Sequence, residues 1–271
     1  MDHSKPVVLI TGASSGFGEA MARFLSEKGY IVYGTSRKIV DKNQFPFTTL
    51  VMDVTDSESI ADGIKLILDK EKKIDVVINN AGIGIAGALE DMSIEEVTRQ
   101  FDTNFFGIVR VIQTVLPHMR ERKEGKIINI SSIAGMIGLP FQSFYSASKF
   151  AIEGLTESLR LELEPFNIKV TNISPGDFHT SFTKNRVLAK KSADSVYSEQ
   201  FKKTLAVYEH DELNGANPFV LARLVESVIR EKSPRVRYLT GMVSQKIVTR
   251  LKPLFGSRTF ELLMKIHCKI N

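Results

Sequence analysis

PVVLITGASSGFG, residues 6–18, decides the fold. Its first half is apolar without alternation, as in a strand buried on both faces. Three glycines then crowd one turn, and a helical spacing of apolar residues begins at Phe17. Glycines in such a turn allow a tight bend and a close approach of backbone to phosphate, while the free N–H groups of a helix start favour an anion. Gly12, Ser14, Ser15, Gly16, Phe17 and Gly18 are therefore a candidate dinucleotide cradle. The spacing departs from GxGxxG, so the strand–turn–helix context carries this reading.

Outward from that unit the alternation repeats. IVYGTS, TTLVMDV, IDVVINNAG, KIINISS and KVTNISPG read as strands, and Phe17–Lys28, Ser57–Lys70, Ser93–Arg120 and Ser143–Glu164 read as helices. Continuous rather than alternating apolarity implies strands covered on both faces. The expectation is one α/β domain over 1–271, a Rossmann-type doubly wound parallel sheet of about seven strands flanked by helices. After Gly176 the rhythm lapses for about 40 residues, so 177–216 is expected to be an irregular or short-helical lid over a ligand crevice. A helix near Pro218–Arg230, a strand near Val236–Thr240 and a basic amphipathic segment over 242–271 complete the chain.

Composition bounds the chemistry. With 43% apolar and 25% charged residues the chain is of ordinary globular type. Cys268 is the single cysteine, which excludes an internal disulfide and a thiolate metal cluster. The five histidines, His3, His118, His179, His210 and His267, are scattered and read as structural, so no metal is expected. No basic, then apolar, leader opens the sequence and no window reaches about 18 apolar residues. A cytoplasmic location is the expectation. From residue 235 onward eight cations (Arg235, Arg237, Lys246, Arg250, Lys252, Arg258, Lys265 and Lys269) face Glu261 alone. The tail thus carries +7, and residues 1–234 carry −2. Such a tail either touches anionic lipid head groups or is a solvated helical face over a buried apolar stripe. Phe255 and Phe260 are too few aromatic platforms for single-stranded nucleic acid, so no nucleic-acid partner is expected.

Four further stretches carry chemistry. At the end of the second strand Ser36, Arg37 and Lys38 offer a hydroxyl and two cations to a 2′-phosphate, where NAD would call for an acid. NADP(H) is thus preferred, with NAD(H) second. Asp53 and Val54 close the third strand, where the carboxylate is placed to accept from an adenine amino group. FYSASKFAIEGL, residues 144–155, sets Tyr145 and Lys149 one helical turn apart. A phenol near about 10 is too weak an acid for neutral pH. The lysine and an oxidised nicotinamide would favour the phenolate. Ser146, Ala147 and Ser148 are expected to keep that turn slim enough for a nicotinamide. A hydroxyl at the end of INISS completes the group, with Ser131 and Ser132 equally placed.

Together these stretches resemble the short-chain dehydrogenase/reductase family, in order and in spacing. The motifs are TGASSGFG at 11–18, NNAG at 79–82, Asn104 within NFFG, the serine of INISS, YSASK at 145–149 and SPG at 174–176 with Thr180, covering residues 5 to about 240. The resemblance implies that Tyr145 donates or accepts the proton, Lys149 lowers its pKa and bonds the nicotinamide ribose, and Ser132 orients the substrate. It makes Asn104 the residue whose carbonyl holds a relay water. Asn80, Ala81 and Gly82 line the adenosine and ribose side, while Pro175, Gly176, Phe178 and Thr180 fix the carboxamide. Pro-S hydride transfer between NADP(H) and a carbonyl or alcohol would follow, in a homodimer or homotetramer built on the helices from Ser93 and Ser143. Within the family GDFHTSF, NP at 217–218 and RYLT are similar to the hydroxysteroid and retinol dehydrogenase branch, which implies a lipophilic substrate. Asp177 puts an acid where that branch has an uncharged residue and so counts against a steroid; related enzymes reduce keto-lipids such as 3-ketosphinganine, or aldehydes. The rival expectation is a catalytically silent NADPH-sensing protein on the same fold.

Overall fold

A computed structural model describes residues 5–38, 44–254 and 256–270. His3 and Phe255 lie outside the described residues. Along the chain run β1 (Val7–Ile10), α1 (Gly16–Glu27), β2 (Ile31–Ser36), β3 (Thr48–Val51), α2 (Ser57–Glu71), β4 (Val76–Asn79) and β5 (Ile85–Ala86). After them come α3 (Ile94–Phe101), α4 (Gly107–Arg122), β6 (Gly125–Ile130), α5 (Ser143–Glu162), β7 (Ile168–Pro175), α6 (Phe182–Asn185) and β8 (Val187–Leu188). The last elements are α7 (Ser198–Leu213), α8 (Pro218–Arg230), β9 (Arg237–Thr240), α9 (Val243–Leu251) and α10 (Ser257–His267). Seven parallel strands form one sheet in the order β3-β2-β1-β4-β6-β7-β9, and β5 pairs β8 separately. The order reverses between β1 and β4, which opens a crevice at the carboxyl ends of the strands.

Alternate residues of each central strand serve opposite faces. Val7, Leu9, Val77, Ile127 and Val170 pack with Ile60, Ile64, Ile67, Val111, Val115 and Ile152 of α2, α4 and α5. Val8, Ile10, Ile78, Ile128 and Ile173 pack with Met21 and Leu25 of α1 and Leu221, Val225 and Val228 of α8. Each such side chain contributes about 1.5–3 kcal/mol by leaving water, and two buried faces explain the continuous apolar runs. The edge strand β3 differs: Val51 is exposed, and the ladder to β2 ends with the Met52 N–H donating to the Ser36 carbonyl, before Asp53.

Local chemistry sets several boundaries. Asp56 caps α2 by accepting from the Glu58 and Ser59 N–H groups, and Ser93 with Glu96 forms a reciprocal capping box at α3. Asn217 caps α8 ahead of Pro218.

Two sequence expectations need correction. The helix read as continuous from Ser93 to Arg120 is broken by a π-helical turn, Asp102–Phe106, centred on Asn104; such turns mark functional positions more often than ordinary helix does. The segment 177–216 is not chiefly irregular, because α7 supplies sixteen helical residues. Only Phe201, Thr204 and Tyr208 of α7 are buried, and its polar residues are spread around the helix, so no periodic stripe announced it.

Candidate active site and cofactor crevice

The glycine turn needs its glycines for two separate reasons. Gly12 has φ +68, a left-handed conformation, and a Cβ on Gly18 would stand 2.1 Å from the Gly12 carbonyl oxygen. Ser15 flanks α1 without capping it through its side chain, so the first N–H groups of the helix still face the crevice. NNAG fastens this turn: the Thr11 hydroxyl accepts from the Asn80 and Ala81 N–H groups at 2.9 and 3.0 Å, and Asn80 Nδ2 donates to the Thr11 and Gly12 carbonyls. The cradle and exposed amides fit a dinucleotide pyrophosphate. Ser14, Ser15, Gly16 and Phe17 line the crevice, as do Ala81 and Gly82.

Ser36, Arg37 and Lys38 stand on the same crevice wall as Met52 and Val54, and Arg37 and Lys38 are exposed. Asp53 does not line it. Its Oδ1 accepts from the Thr55 N–H and hydroxyl at 2.9 and 2.8 Å, so it fastens the β3–α2 turn.

Deeper in, Ser132, Tyr145 and Lys149 meet along one wall of a cavity of about 960 Å³. Lys149 is buried, with Nζ 5.7 Å from the Tyr145 ring centroid and donating to the Ile130 carbonyl at 2.9 Å. Burial pulls the Lys149 ammonium down to about 8, against the pull of Glu153. Burial also pushes the Tyr145 phenol up to about 12, countered by the Ser132 hydroxyl and the Arg186 charge and reinforced by Glu212 and Asp177. The chain alone therefore keeps Tyr145 protonated, with burial as the largest influence. The two serines separate as well. Ser131 is 3% exposed and its hydroxyl lacks a partner among the described residues, whereas Ser132 stands beside the phenol.

Between tyrosine and lysine the helix departs from expectation. Ser146 and Ser148 are buried away from the crevice: Ser146 Oγ accepts from Leu139 N–H, and Ser148 Oγ donates to the Tyr145 carbonyl and accepts from Asn104 Nδ2 at 3.2 Å. Asn104 also grips Ile83 through both main-chain groups, at 2.8 and 2.9 Å. Their small size serves inward bonding.

A buried polar chain fixes α5 on the sheet. Asn79 donates to Asn129, Asn129 to Thr156, and Thr156 to Asn172; Asn172 and Ser174 donate to Glu153, one turn beyond Lys149. Arg237 Nε closes it on Glu153 at 2.6 Å. Sequence reading missed this network, since scattered Asn and Thr in strands give no periodic signal.

Because Lys149 titrates near 8, its ammonium is present below that pH and lost above it. Affinity for a nicotinamide dinucleotide should weaken as pH rises through about 8, and calorimetric titration of Lys149→Met should show that step abolished.

Pro175, Gly176, Phe178 and Thr180 line the far side of the crevice, with Phe178 edge-on to Phe17 at 5.0 Å. Asp177 lies there too. Burial pushes its carboxyl up to about 6, and Gln245 of α9 accepts from its N–H at 2.9 Å and donates to its carboxylate. The tail therefore belongs to the site: Gln245, Thr249, Phe260, Leu263, Met264 and His267 line the cavity. His267, read as structural, also lies 3.3 Å from the Asp211 carboxylate. The apolar positions of the tail were the available signal.

The sequence model of the family described as "short chain dehydrogenase" matches residues 6–191. A 3-ketodihydrosphingosine reductase of Bacteroides thetaiotaomicron is 45% identical over 266 residues, covering 98% of both chains. Human retinol dehydrogenase 8 is 39% identical over 291 residues, covering 97% of this chain and 92% of its own. A crystal structure of a short-chain dehydrogenase from Streptomyces avermitilis superposes with a TM-score of 0.83 at 30% identity, covering 94% of each chain. With the seven-stranded parallel sheet and the serine, tyrosine and lysine gathered at its carboxyl edge, these matches establish that the chain belongs to the short-chain dehydrogenase/reductase family, oxidoreductases acting on CH–OH groups with NAD(P) as acceptor.

Proposed function

We propose that this chain is an NADPH-dependent reductase of a long-chain carbonyl compound, of the keto-lipid kind acted on by the relative named for 3-ketodihydrosphingosine. The observation that carries this reading is the continuity of one cavity. It runs from the glycine turn past Tyr145 into a chamber walled by Ile137, Leu139, Phe182, Phe260, Leu263 and Met264. An apolar wall of that kind suits an alkyl chain.

When bound, NADPH supplies the hydride. Ser132 holds the carbonyl oxygen beside the phenol, so the oxygen is polarised and placed before reaction. Tyr145, kept neutral by burial, transfers its hydroxyl proton to that oxygen as the C–H bond forms. Lys149 holds the ribose and, charged below about 8, stabilises the phenolate left behind. Asn104 fixes the helix carrying both groups through Ser148. Arg37 and Lys38 bind the 2′-phosphate at the crevice rim.

A panel of aldehydes and ketones of increasing chain length, assayed with NADPH and NADH in parallel, tests this reading. Turnover should rise with chain length and favour NADPH. Arg37→Ala should cut the NADPH:NADH preference by roughly 10-fold to 100-fold, the range of one lost charge-assisted bond. Preference for short polar carbonyls would refute the lipid chamber, and an unchanged cofactor ratio in Arg37→Ala would refute the role of Arg37.

A further inference from the structure

The helices α9 and α10 have two faces. Toward the protein, Gln245, Thr249, Phe260, Met264 and His267 line the cavity. Cys268 is buried, with its carbonyl accepting from Thr204 of α7 and its sulfur 3.4 Å from the Tyr208 hydroxyl. Lys252 donates to the Met136 carbonyl, and Gln200 to that of Lys269, so the segment is held against the lid. Away from the protein, Val243, Ile247, Leu251 and Leu254 are 66, 50, 37 and 79% exposed, and Leu262 and Ile266 are 57 and 67% exposed. None of these six lines the cavity, so their exposure faces outward.

Positions 243, 247 and 251, and again 262 and 266, fall four apart. Each helix therefore presents one apolar stripe. Beside the stripes stand Lys246 and Arg250 on α9 and Arg258 and Lys265 on α10, and residues 242–271 carry a net charge of +5 while residues 1–241 are neutral overall. An apolar stripe flanked by cations, on helices too short to span a bilayer, is suited to lie in the head-group layer of an anionic membrane. Among the described residues no helix is long and apolar enough to cross a membrane.

We propose that the outward face of α9 and α10 docks on an anionic lipid surface, setting the mouth of the cavity against the bilayer. Apolar side chains enter the acyl boundary while the basic residues meet lipid phosphates. The same two helices form part of the cavity wall, so docking brings the chamber next to the lipid that would hold a lipophilic substrate. The docking rests on exposure and charge alone; only the route of the substrate rests on the proposed reductase activity.

The test is sedimentation of the full chain with vesicles of phosphatidylcholine, with and without phosphatidylglycerol. Binding should require the anionic lipid and weaken with salt. Arg250→Glu should weaken it by about fivefold or more, the worth of a cation at such a surface, and Ile247→Asp with Ile266→Asp by at least about tenfold. In solution, NADPH binding and reduction of a short carbonyl should be unchanged by the paired aspartates, because neither isoleucine lines the cavity. Equal partition of the wild type and the paired variant, or no binding to anionic vesicles, would overturn the proposal. So would a dimer that the paired variant dissociates without any vesicle binding, which would assign this face to a second copy. Vesicle binding by a chain that reduces no carbonyl would leave the docking standing and remove the reductase reading.

Discussion

Tyr145→Phe should reduce carbonyl turnover by at least about 10²-fold while NADPH binds as in the wild type. Removing one oxygen deletes the proton donor, and general acid catalysis of this kind is worth about 10²–10⁴-fold. The ring itself survives. Its tilted contact with Phe182, at 5.8 Å between centroids, and the cation–π approach of Lys149 at 5.7 Å need only the aromatic ring. Ser132 loses its bond to the phenol but still accepts from the Ala134 N–H, and Ser148 uses the Tyr145 carbonyl rather than the phenol. Binding and fold are thus separated from chemistry. NADPH fluorescence titration and the thermal melt should match the wild type, and only the rate should fall.

Gly18→Ala should have the largest effect on the fold near the cofactor. The added methyl would meet the Gly12 carbonyl oxygen at 2.1 Å, Asn80 Nδ2 at 2.6 Å and Ala13 Cα at 2.9 Å. Two of these are backbone, and Asn80 is held by its bonds to Thr11 and Gly12, so little can yield. We expect a loss of about 3 kcal/mol or more, the upper range for overpacking, and at least about tenfold weaker NADPH binding, because the anion cradle is pushed apart. Gly154→Ala is the matched control. Nothing lies within 4 Å of its Cβ, on the same helix as Tyr145, and removing a helical glycine should stabilise by about 0.5–1 kcal/mol. Melting curves of both variants with and without NADPH separate the two outcomes.

The parts of this molecule that follow from local pattern were readable in the sequence. The buried central strands announce themselves by their apolar runs, and the turn around Gly12 by its place between strand and helix. Tyr145, Lys149 and Ser132 were legible through their resemblance to a family, and Ser131 is set apart only in three dimensions, where it is buried while its neighbour faces the phenol. What the sequence withheld depends on long-range geometry. The Asn79–Asn129–Thr156–Asn172–Glu153 chain joins residues up to 50 positions apart. The reach of Gln245 back to Asp177 spans 68 positions. Desolvation likewise belongs to the folded crevice: it is the largest influence on the Tyr145 phenol and holds it protonated in the chain alone. Charge and apolar spacing left the tail either on lipid or as a solvated face over a buried stripe, and its place as a cavity wall comes from where α9 and α10 dock.

The most direct measurement of the central claim uses NADPH carrying deuterium at the pro-S position of the nicotinamide, mixed with the wild-type chain and a long-chain ketone. Mass spectrometry of the alcohol reads the outcome. The account predicts one deuterium on the new carbinol carbon, formed by the wild type and lost by at least about 10²-fold in Tyr145→Phe. Alcohol without deuterium, or bound NADPH that no carbonyl oxidises, would contradict it.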